Sequence, residues 1–594
     1  MCGIAGFWGF EDKGLLKQMC DSIRHRGPDE HGYHTDKDVC LGNRRLSIID
    51  LKGGSQPIYN EDKSIVVVYN GEIYNFKDVR EDLEKKGHRF STNTDTEVLV
   101  HGYEEYGYDI LSKLNGMFAF VIWDSRKKEL FIARDRLGIK PLYYYWNGEV
   151  LLFASEIKAI LRSKRINPEV SQRALYRFLT MRYIPGDITM IEGVMKLMPG
   201  YFLSLKNKNL EVKRYWDVSF GNEDKSLESC KKSIAELLED SVNKRLISDV
   251  PLGAFLSGGI DSSIIVGLMS KFSDKVKTFS VGFEESGYSE LDYARRAADY
   301  LGTNHQDIII DSDKFIKAIP KMVYHLDEPI ADSAAIPTYY LSELARKKVK
   351  VVLTGEGGDE LFGGYPKYGM QKREYLTRYY MKAPRAVRVA LKKASPGKYK
   401  LYADSLESAE RFYLSPFMKN AKLLERGSGM DISGDIKGVF KPYLGNPDVM
   451  KEMQYVDIKT WLPEELLMKV DKMSMANSLE ARVPFLDHRI VNLSMTIPSR
   501  FKIMKGVEKH VLRESFCDLL PRSTVERKKH PFSVPIKEWQ RFFVDRYYHE
   551  LTRHDSLLGV LRNKNLDSLI SSSRYQDKFN LVIFHLWTES ILRN

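Results

Sequence analysis

The chain has 594 residues, 43% of them hydrophobic and 29% charged, which is too long for one compact core and too apolar for a disordered chain; at ~150 residues per domain it predicts two to four domains. Lys and Arg number 91 against 80 Asp and Glu, a formal charge of +11. The excess is interleaved with acids, as in KVDKMSM and ERKKHPF, which argues against a nucleic-acid-binding arm and for small anionic ligands.

From Ser64 to about Tyr145 the β-rich runs IVVVYNGEIYN, GMFAFVIWD, ELFIARD and PLYYYW alternate with turn clusters, around one amphipathic helix predicted near Phe76 to Lys86. That pattern predicts an α+β fold of layered antiparallel sheets with helices. After Gly200, YFLSLKNKNLEVKRYW predicts one more strand pair, and the polar FGNEDKSLESC predicts a linker near Asp217 to Asp224. Beyond it, strands VPLGAFLSGG, VKTFSVGF, HQDIII and VKVVLTG alternate with helical SSIIVGLMSKF, ELDYARRAADYLG and TYYLSELARKK. This alternation predicts an α/β doubly wound parallel sheet. Residues from about Tyr365 to Glu452, and most of the remainder, read as extra helices. The expected domains are therefore 2–217 and 225–594.

The five cysteines, Cys2, Cys20, Cys40, Cys230 and Cys517, form no CxxC pair and no disulfide framework, so a reducing, cytoplasmic compartment is expected. The start MCGIAGFWGFEDKG lacks a secretory pattern, and no window approaches the ~18 apolar residues of a membrane span. The expectation is a soluble protein with neither membrane nor nucleic-acid partner; a possible homodimer stays open.

Cys2 follows the initiator Met and precedes small Gly3. Removal of the Met leaves a thiol and a free α-amine on one residue, and an amine of pKa ~7.7 to 8.0 can act as base for its own side chain. A buried core cysteine is the plain alternative. The segments RHRGPDE, RRLSIID, YNGEIYN and STNTDTE follow in that order. With MCGIAGF, RDRLGIKPLYY and FASEIKAI they resemble the class II glutamine amidotransferase domain, of N-terminal-nucleophile hydrolase fold. The resemblance implies that Cys2 attacks the amide of L-glutamine and Arg45 clamps its α-carboxylate. It further implies that the Asn70 side chain and Gly71 N–H form an oxyanion hole, while Glu72 and Asp95 hold the α-ammonium. Alone, Asn70-Gly71 also reads as a hairpin turn, and Arg45 and Asp95 as a surface ion pair.

AFLSGGIDSSIIV, Ala254 to Val266, is an apolar strand, a Gly-Gly turn and a helix opening with hydroxyl residues. Helix N-termini favour polyphosphate, so Ser257, Gly258, Gly259, Ser262 and Ser263 are candidates to cradle pyrophosphate and Asp261 to hold magnesium. An ordinary strand-to-helix turn is the alternative. No GxxxxGK[ST] motif is present. Instead SGGIDSS resembles an ATP-pyrophosphatase loop, and VVLTGEGGDELFGG marks a second strand end, where open α/β folds bind ligands.

Together the two halves resemble the glutamine-dependent asparagine synthetase family over essentially the whole chain. The resemblance implies ATP as substrate, Mg2+ on Asp261 and Asp359, and nucleotide contacts from Leu256, Val281, Thr354 and Gly355. It also implies Glu356 in acyl-adenylate formation, a charge-neutralising lysine at Lys529 or the adjacent Lys528, and an internal ammonia tunnel. L-aspartate is the favoured acceptor. However, Asp332-Ser333-Ala334-Ala335 lacks the basic residue that well-known aspartate-using bacterial relatives carry before the proline. An acceptor with a second carboxylate wants a cation, so Arg482 or a lysine elsewhere is expected to compensate; the alternative acceptors are diaminopimelate or a sugar uronate.

Overall fold

A computed structural model describes residues 2–221, 225–285, 287–368, 383–394, 429–446, 448–529, 533–539 and 575–592, with short pieces near 414–425 and 542–547. In the N-terminal half the strands are β1 (Cys2–Trp8), β2 (Glu30–Thr35), β3 (Val39–Arg45), β4 (Ile58–Tyr59), β5 (Ile65–Ile73), β6 (Gly116–Asp124), β7 (Glu129–Arg134), β8 (Tyr143–Trp146), β9 (Leu151–Ala154), β10 (Val194–Lys196), β11 (Tyr201–Lys206) and β12 (Asn209–Arg214). They form two six-stranded sheets, ordered β10-β8-β9-β1-β3-β2 and β12-β11-β7-β6-β5-β4. The pairings are antiparallel, as the alternation of strands and turns predicts.

Side chains alternate across a strand, so each strand feeds two cores. Ala119, Val121 and Trp123 of β6 meet Ile4 of β1 and Leu41 of β3 between the sheets. The intervening Phe120 and Ile122 pack outward with Val79, Leu83, Val98 and Leu99 of the helices Phe76–Lys85 and Glu97–Tyr106. On the opposite side, Ala5 and Phe7 of β1 pack against Leu15, Leu16 and Met19 of the helix Lys13–Ser22. The result is helix, sheet, sheet, helix: four layers.

The C-terminal half carries β13 (Leu252–Phe255), β14 (Lys277–Phe283), β15 (Asn304–Ile310), β16 (Val351–Leu353) and β17 (Glu480–Arg482). All four pairings are parallel, in the order β15-β14-β13-β16-β17. The chain leaves β13 toward one edge and returns through β16 to its other side. Loops from adjacent strand ends therefore diverge between β13 and β16, the position where open α/β sheets open a ligand crevice. β17 differs from the helical expectation for this region. A three-residue edge strand carries too little sequence to show a period, and its register is set by β16.

The linker expected near 217–224 falls partly on 222–224, and the helical stretch expected over 365–452 largely on 369–382 and 395–413, all outside the described residues. Within the described part of that stretch the chain is helical over Arg385–Ala394, Ile432–Phe440 and Val449–Lys459. Apolar clusters run across both halves, joining Leu175 and Phe178 to Phe315 and Met322, and Leu46 and Ile48 to Leu256 and Val483. Among the described residues no helix is long and apolar enough to cross a membrane.

Candidate active sites

The first site is built where β1 starts. Register sets Cys2 opposite Arg45 of β3, and Cys2 is 5% exposed. Its backbone N donates to Asn70 Oδ1 at 3.0 Å, and its carbonyl accepts from Arg26 Nε at 3.3 Å. Gln56 Nε2 lies 3.8 Å from the thiol sulfur.

Asn70 and Gly71 do not form a hairpin turn. They sit inside β5, opposite Ala119 and Phe118 of β6. β4 pairs only with Val66 and Val67, so further along β5 the outer edge needs other acceptors. Tyr69 N–H donates to Gln56 Oε1 at 2.7 Å and Ile73 N–H to Asp95 Oδ2 at 2.9 Å. The two-residue period of a strand puts the Gly71 N–H on this same edge, between them. A Cβ at Gly71 would stand 2.1 Å from the Met117 carbonyl oxygen, so close strand packing requires glycine there.

Two buried polar atoms beside this edge lack a hydrogen-bond partner, Asn70 Nδ2 and Glu72 Oε1. The other Glu72 oxygen accepts from Arg482 Nη2 at 3.1 Å. Burial and the neighbouring Asp95 raise the Glu72 carboxyl above its ordinary range against the pull of Arg482. Burial also raises Asp95, although the Ile73 N–H and the Tyr69 hydroxyl, 2.8 Å away, favour its ionised form. Arg45 is buried, not superficial: Nη1 meets Glu30 Oε2 at 2.9 Å, and Nη2 donates to the Ile49 and Asp50 carbonyls.

The second site lies at the crevice. Gly258 has φ +70°, and a Cβ there would meet the Tyr293 carbonyl carbon at 2.4 Å. The turn is therefore open only to glycine. Ser257 N–H donates to Ser262 Oγ at 3.1 Å, and Gly259 caps the helix Ile260–Met269, whose first turn carries Asp261. Leu256 N–H donates to the Phe279 carbonyl, and buried Val281 follows on β14. From β16, Thr354 N–H donates to the Arg482 carbonyl of β17 at 2.9 Å. Cβ atoms at Gly355 or Gly358 would meet Ser262 N at 2.8 Å or Asp261 Oδ1 at 2.5 Å, so small residues bring the two loops together. The hydroxyls of Ser263 and Thr354 are buried and unpartnered.

Asp261 and Asp359, from separate loops, share one cation. Lys509 Nζ pairs with Asp261 and reaches Asp359 Oδ1 at 2.6 Å, while Lys529 Nζ reaches Asp359 Oδ2 at 2.5 Å. Lys528 is exposed and takes no part in this contact. Burial raises Asp261; Lys509 and Lys529 outweigh burial at Asp359 and hold it at about 2. Glu356 is raised by loss of solvent, opposed by Lys469.

Arg482, one of the cations the sequence offered for an acceptor carboxylate, has its donors occupied by other groups. It is fully buried, with Nε on Glu480, Nη1 on the Arg245 and Ile247 carbonyls and Nη2 on Glu72. Of these contacts the one to Glu72 reaches the first site. The lysine beside the Asp332 loop is Lys469, 2.7 Å from Asp332 Oδ2. It belongs to a segment that sequence reasoning passed over, a π-helical turn Leu462–Leu467 continuing as the helix Met468–Met475. Asp471 of this helix binds Arg26 at 2.8 Å and Lys140 at 3.2 Å, and Lys472 donates to the Ser155 carbonyl. Asp471 and Lys472 thus hold the N-terminal half and Lys469 lies near Glu356, all on one helix. Arg26 stands inside the quoted RHRGPDE, but Gln56, Lys509 and Lys469 carry no local motif.

Residues 1–216 match the family model described as glutamine amidotransferase domain, and residues 233–589 the one described as asparagine synthase. The class is thus an amidotransferase joined to a synthetase. Asparagine synthetase [glutamine-hydrolyzing] 1 of Bacillus subtilis is 36% identical, across 99% of this chain and 96% of its own. A putative asparagine synthetase [glutamine-hydrolyzing] of Mycobacterium bovis is 36% identical over 91% of this chain and 87% of its own, and asparagine synthetase [glutamine-hydrolyzing] 2 of Oryza sativa 31% over 90% and 77%. The chain belongs to the asparagine synthase family.

Proposed function

We propose that this chain is a glutamine-dependent asparagine synthetase, with its glutaminase centre in residues 2–217 and its synthetase centre in 225–594. The observation that carries the reading is the occurrence in one chain of unpartnered polar groups around Cys2 and of a two-carboxylate cradle at the mouth of a parallel sheet.

At the first centre, loss of Met1 turns the Cys2 nitrogen into an α-amine held by Asn70 Oδ1, 3.0 Å away. That amine takes the thiol proton as Sγ attacks the glutamine amide carbon. Asn70 Nδ2 and Gly71 N–H donate to the resulting oxyanion. Ammonia leaves, water cleaves the thioester, and glutamate is released. Glu72 Oε1 and Asp95 take the substrate ammonium, whose arrival offsets the strain of two buried carboxyls side by side. Arg45 takes the α-carboxylate.

At the second centre, the SGGIDSS loop and helix N-terminus receive ATP phosphates, with Leu256, Val281, Thr354 and Gly355 against the nucleotide. Asp261 and Asp359 fit Mg2+: both offer hard carboxylate oxygens, and Asp261 Oδ1 is buried without a hydrogen-bond partner. Bound there, Mg2+ supplies charge neutralisation to the polyphosphate. Lys509 holds the two carboxylates together before nucleotide arrives, and Lys529 faces the leaving pyrophosphate. The acceptor carboxylate attacks the α-phosphorus, giving acyl-AMP and pyrophosphate. Ammonia then displaces AMP, so ATP, aspartate and ammonia become asparagine, AMP and pyrophosphate. Lys469 is the cation for aspartate's other carboxylate, with Glu356 beside the reacting one. An internal path between the centres keeps ammonia unprotonated.

Cys2→Ala and Asp261→Ala test the reading. Cys2→Ala should abolish glutamine use and retain ammonium-dependent AMP formation with aspartate, and Asp261→Ala should abolish both. ADP in place of AMP, or a panel of carboxylic acids in which diaminopimelate or a uronate outperforms aspartate, overturns it.

A further inference from the structure

On the outer face of the amidotransferase half, away from Cys2, one grouping among the described residues has metal-binding spacing. Ligand atoms of Glu61, His88, His101 and Glu104 all lie within 4.8 Å of one another. They come from three pieces of chain: the turn between β4 and β5, the loop after the helix Phe76–Lys85, and the helix Glu97–Tyr106. His101 and Glu104 sit three apart on that helix and so share a face.

The second observation is His101 itself. It is 1% exposed, yet neither ring nitrogen makes a hydrogen bond. Nδ1 faces Glu61 Oε2 at 3.5 Å, and Nε2 faces Glu97 Oε1 at 3.5 Å. Glu97 is held in place by the N–H and hydroxyl groups of Ser91 and Thr92. A carboxylate behind one imidazole nitrogen, with the other nitrogen aimed at further donors, is the arrangement that orients a metal-bound histidine. Phe90 packs edge-on against the His101 ring at 4.6 Å and covers it from solvent.

We propose that Glu61, His88, His101 and Glu104 form a Zn2+-class metal site that clamps the β4–β5 turn to the two helices covering the second sheet. Two imidazoles and two carboxylates suit tetrahedral Zn2+; Mg2+ and Ca2+ demand oxygen-only shells. Donors ~2.0 to 2.1 Å from a tetrahedral ion stand ~3.3 Å apart, so the side chains close by no more than about 1.5 Å from the separations seen here. Glu61 is exposed and can make that movement by rotamer change. Glu104 keeps Arg126 Nη2, 3.1 Å from Oε1, as an outer partner. His101 Nδ1 binds the ion in its neutral form while Nε2 retains the proton facing Glu97.

The test is calorimetric titration of ZnCl2 into the full-length protein, stripped with EDTA and held in saturating Mg2+, alongside His88→Ala, Glu61→Gln and Cys517→Ser. One equivalent should bind the parent and Cys517→Ser, with affinity reduced at least ~10-fold in His88→Ala and Glu61→Gln. Glu61 is exposed and His88 only partly buried, so the test does not require altering the fully buried His101. Co2+ substituted at the site should give tetrahedral d–d bands without sulfur-to-metal charge transfer, which separates it from binding at Cys2. Zinc should also raise the melting temperature of the parent and not of His88→Ala. Affinity unchanged in both variants, a thiolate band, or no binding at micromolar zinc overturns the proposal.

Discussion

Arg482→Met cuts the contact that joins the two centres. The guanidinium is fully buried and makes bonds of 2.6 Å to Glu480, 2.7 Å to each of two carbonyls and 3.1 Å to Glu72. Methionine fills similar volume but leaves two buried carboxylates without their cation, and breaking a buried pair in this way costs about 3–5 kcal/mol in stability. The part felt by glutamine is smaller. Glu72 loses one charged hydrogen bond, worth about 1.5–3 kcal/mol, its carboxyl shifts further toward the neutral form, and the substrate ammonium loses its counter-charge. At 1.36 kcal/mol per decade the expectation is a roughly 10- to 100-fold fall in kcat/KM for glutamine. AMP formation with saturating ammonium should fall by a clearly smaller factor, because Arg482 touches the nucleotide loop only through its backbone. Steady-state assays of both reactions on Arg482→Met, Glu72→Gln and the double variant form a cycle, and the double variant should lose less than the sum of the singles. Losses that add, or that strike both reactions equally, refute the proposed link through Glu72.

Three further outcomes are expected. Asn70→Ala removes both the partner of the Cys2 nitrogen and an oxyanion donor, and should lower glutamine-dependent kcat ~100- to 1,000-fold, about 2.7–4 kcal/mol, with ammonium-dependent synthesis unchanged in a pyrophosphate-release assay. Gly355→Ala places a Cβ 2.8 Å from Ser262 N and 3.0 Å from Asp261 Cβ; a displacement of this order should reduce ATP-dependent turnover ~100-fold and leave glutamine hydrolysis intact. His25 and His325 face each other across the two halves, 4.7 Å between ring centroids. Burial lowers both, His325 to about 3 with help from His25 and Lys158, while Glu156 opposes the fall at His25. The unfolded chain takes up these protons as pH falls through 6.5 and the folded chain resists, so their contribution is complete above pH 6.5 and is lost progressively from there toward pH 3. Melting temperature should therefore drop on acidification from pH 7.5 to 4.5, and His325→Phe should flatten that drop; an equal slope in the two proteins contradicts the assignment.

The layers were readable because alternation and helix spacing are local. GMFAFVIWD is a nine-residue, almost wholly apolar run that lies buried on both faces, and the contrast between turn-separated strands and strand–helix alternation separates the antiparallel half from the parallel one. The strand, glycine turn and helix around Asp261 were readable for the same reason: the glycines, serines and Asp261 are neighbours in sequence. Asn70-Gly71 was ambiguous, since the dipeptide fits a turn as well as a strand edge, and only the pairing of β5 with β6 resolves it. Between Arg482 and a lysine elsewhere the sequence could not choose, because it gives the charge of a side chain without the carboxylates that occupy it; the structure pairs Arg482 with Glu480 and Glu72.

What the sequence alone determined is the family the chain belongs to and the local patterns that point to it, the terminal Cys2 and the glycine- and serine-rich loop at Asp261. What only the tertiary structure decided is which groups face one another over long separations, 68 residues from Cys2 to Asn70, 248 from Asp261 to Lys509 and 410 from Glu72 to Arg482. Local pattern encodes backbone geometry through sterics and burial periodicity, whereas a buried ion pair exists only once packing has brought two distant charges out of water together.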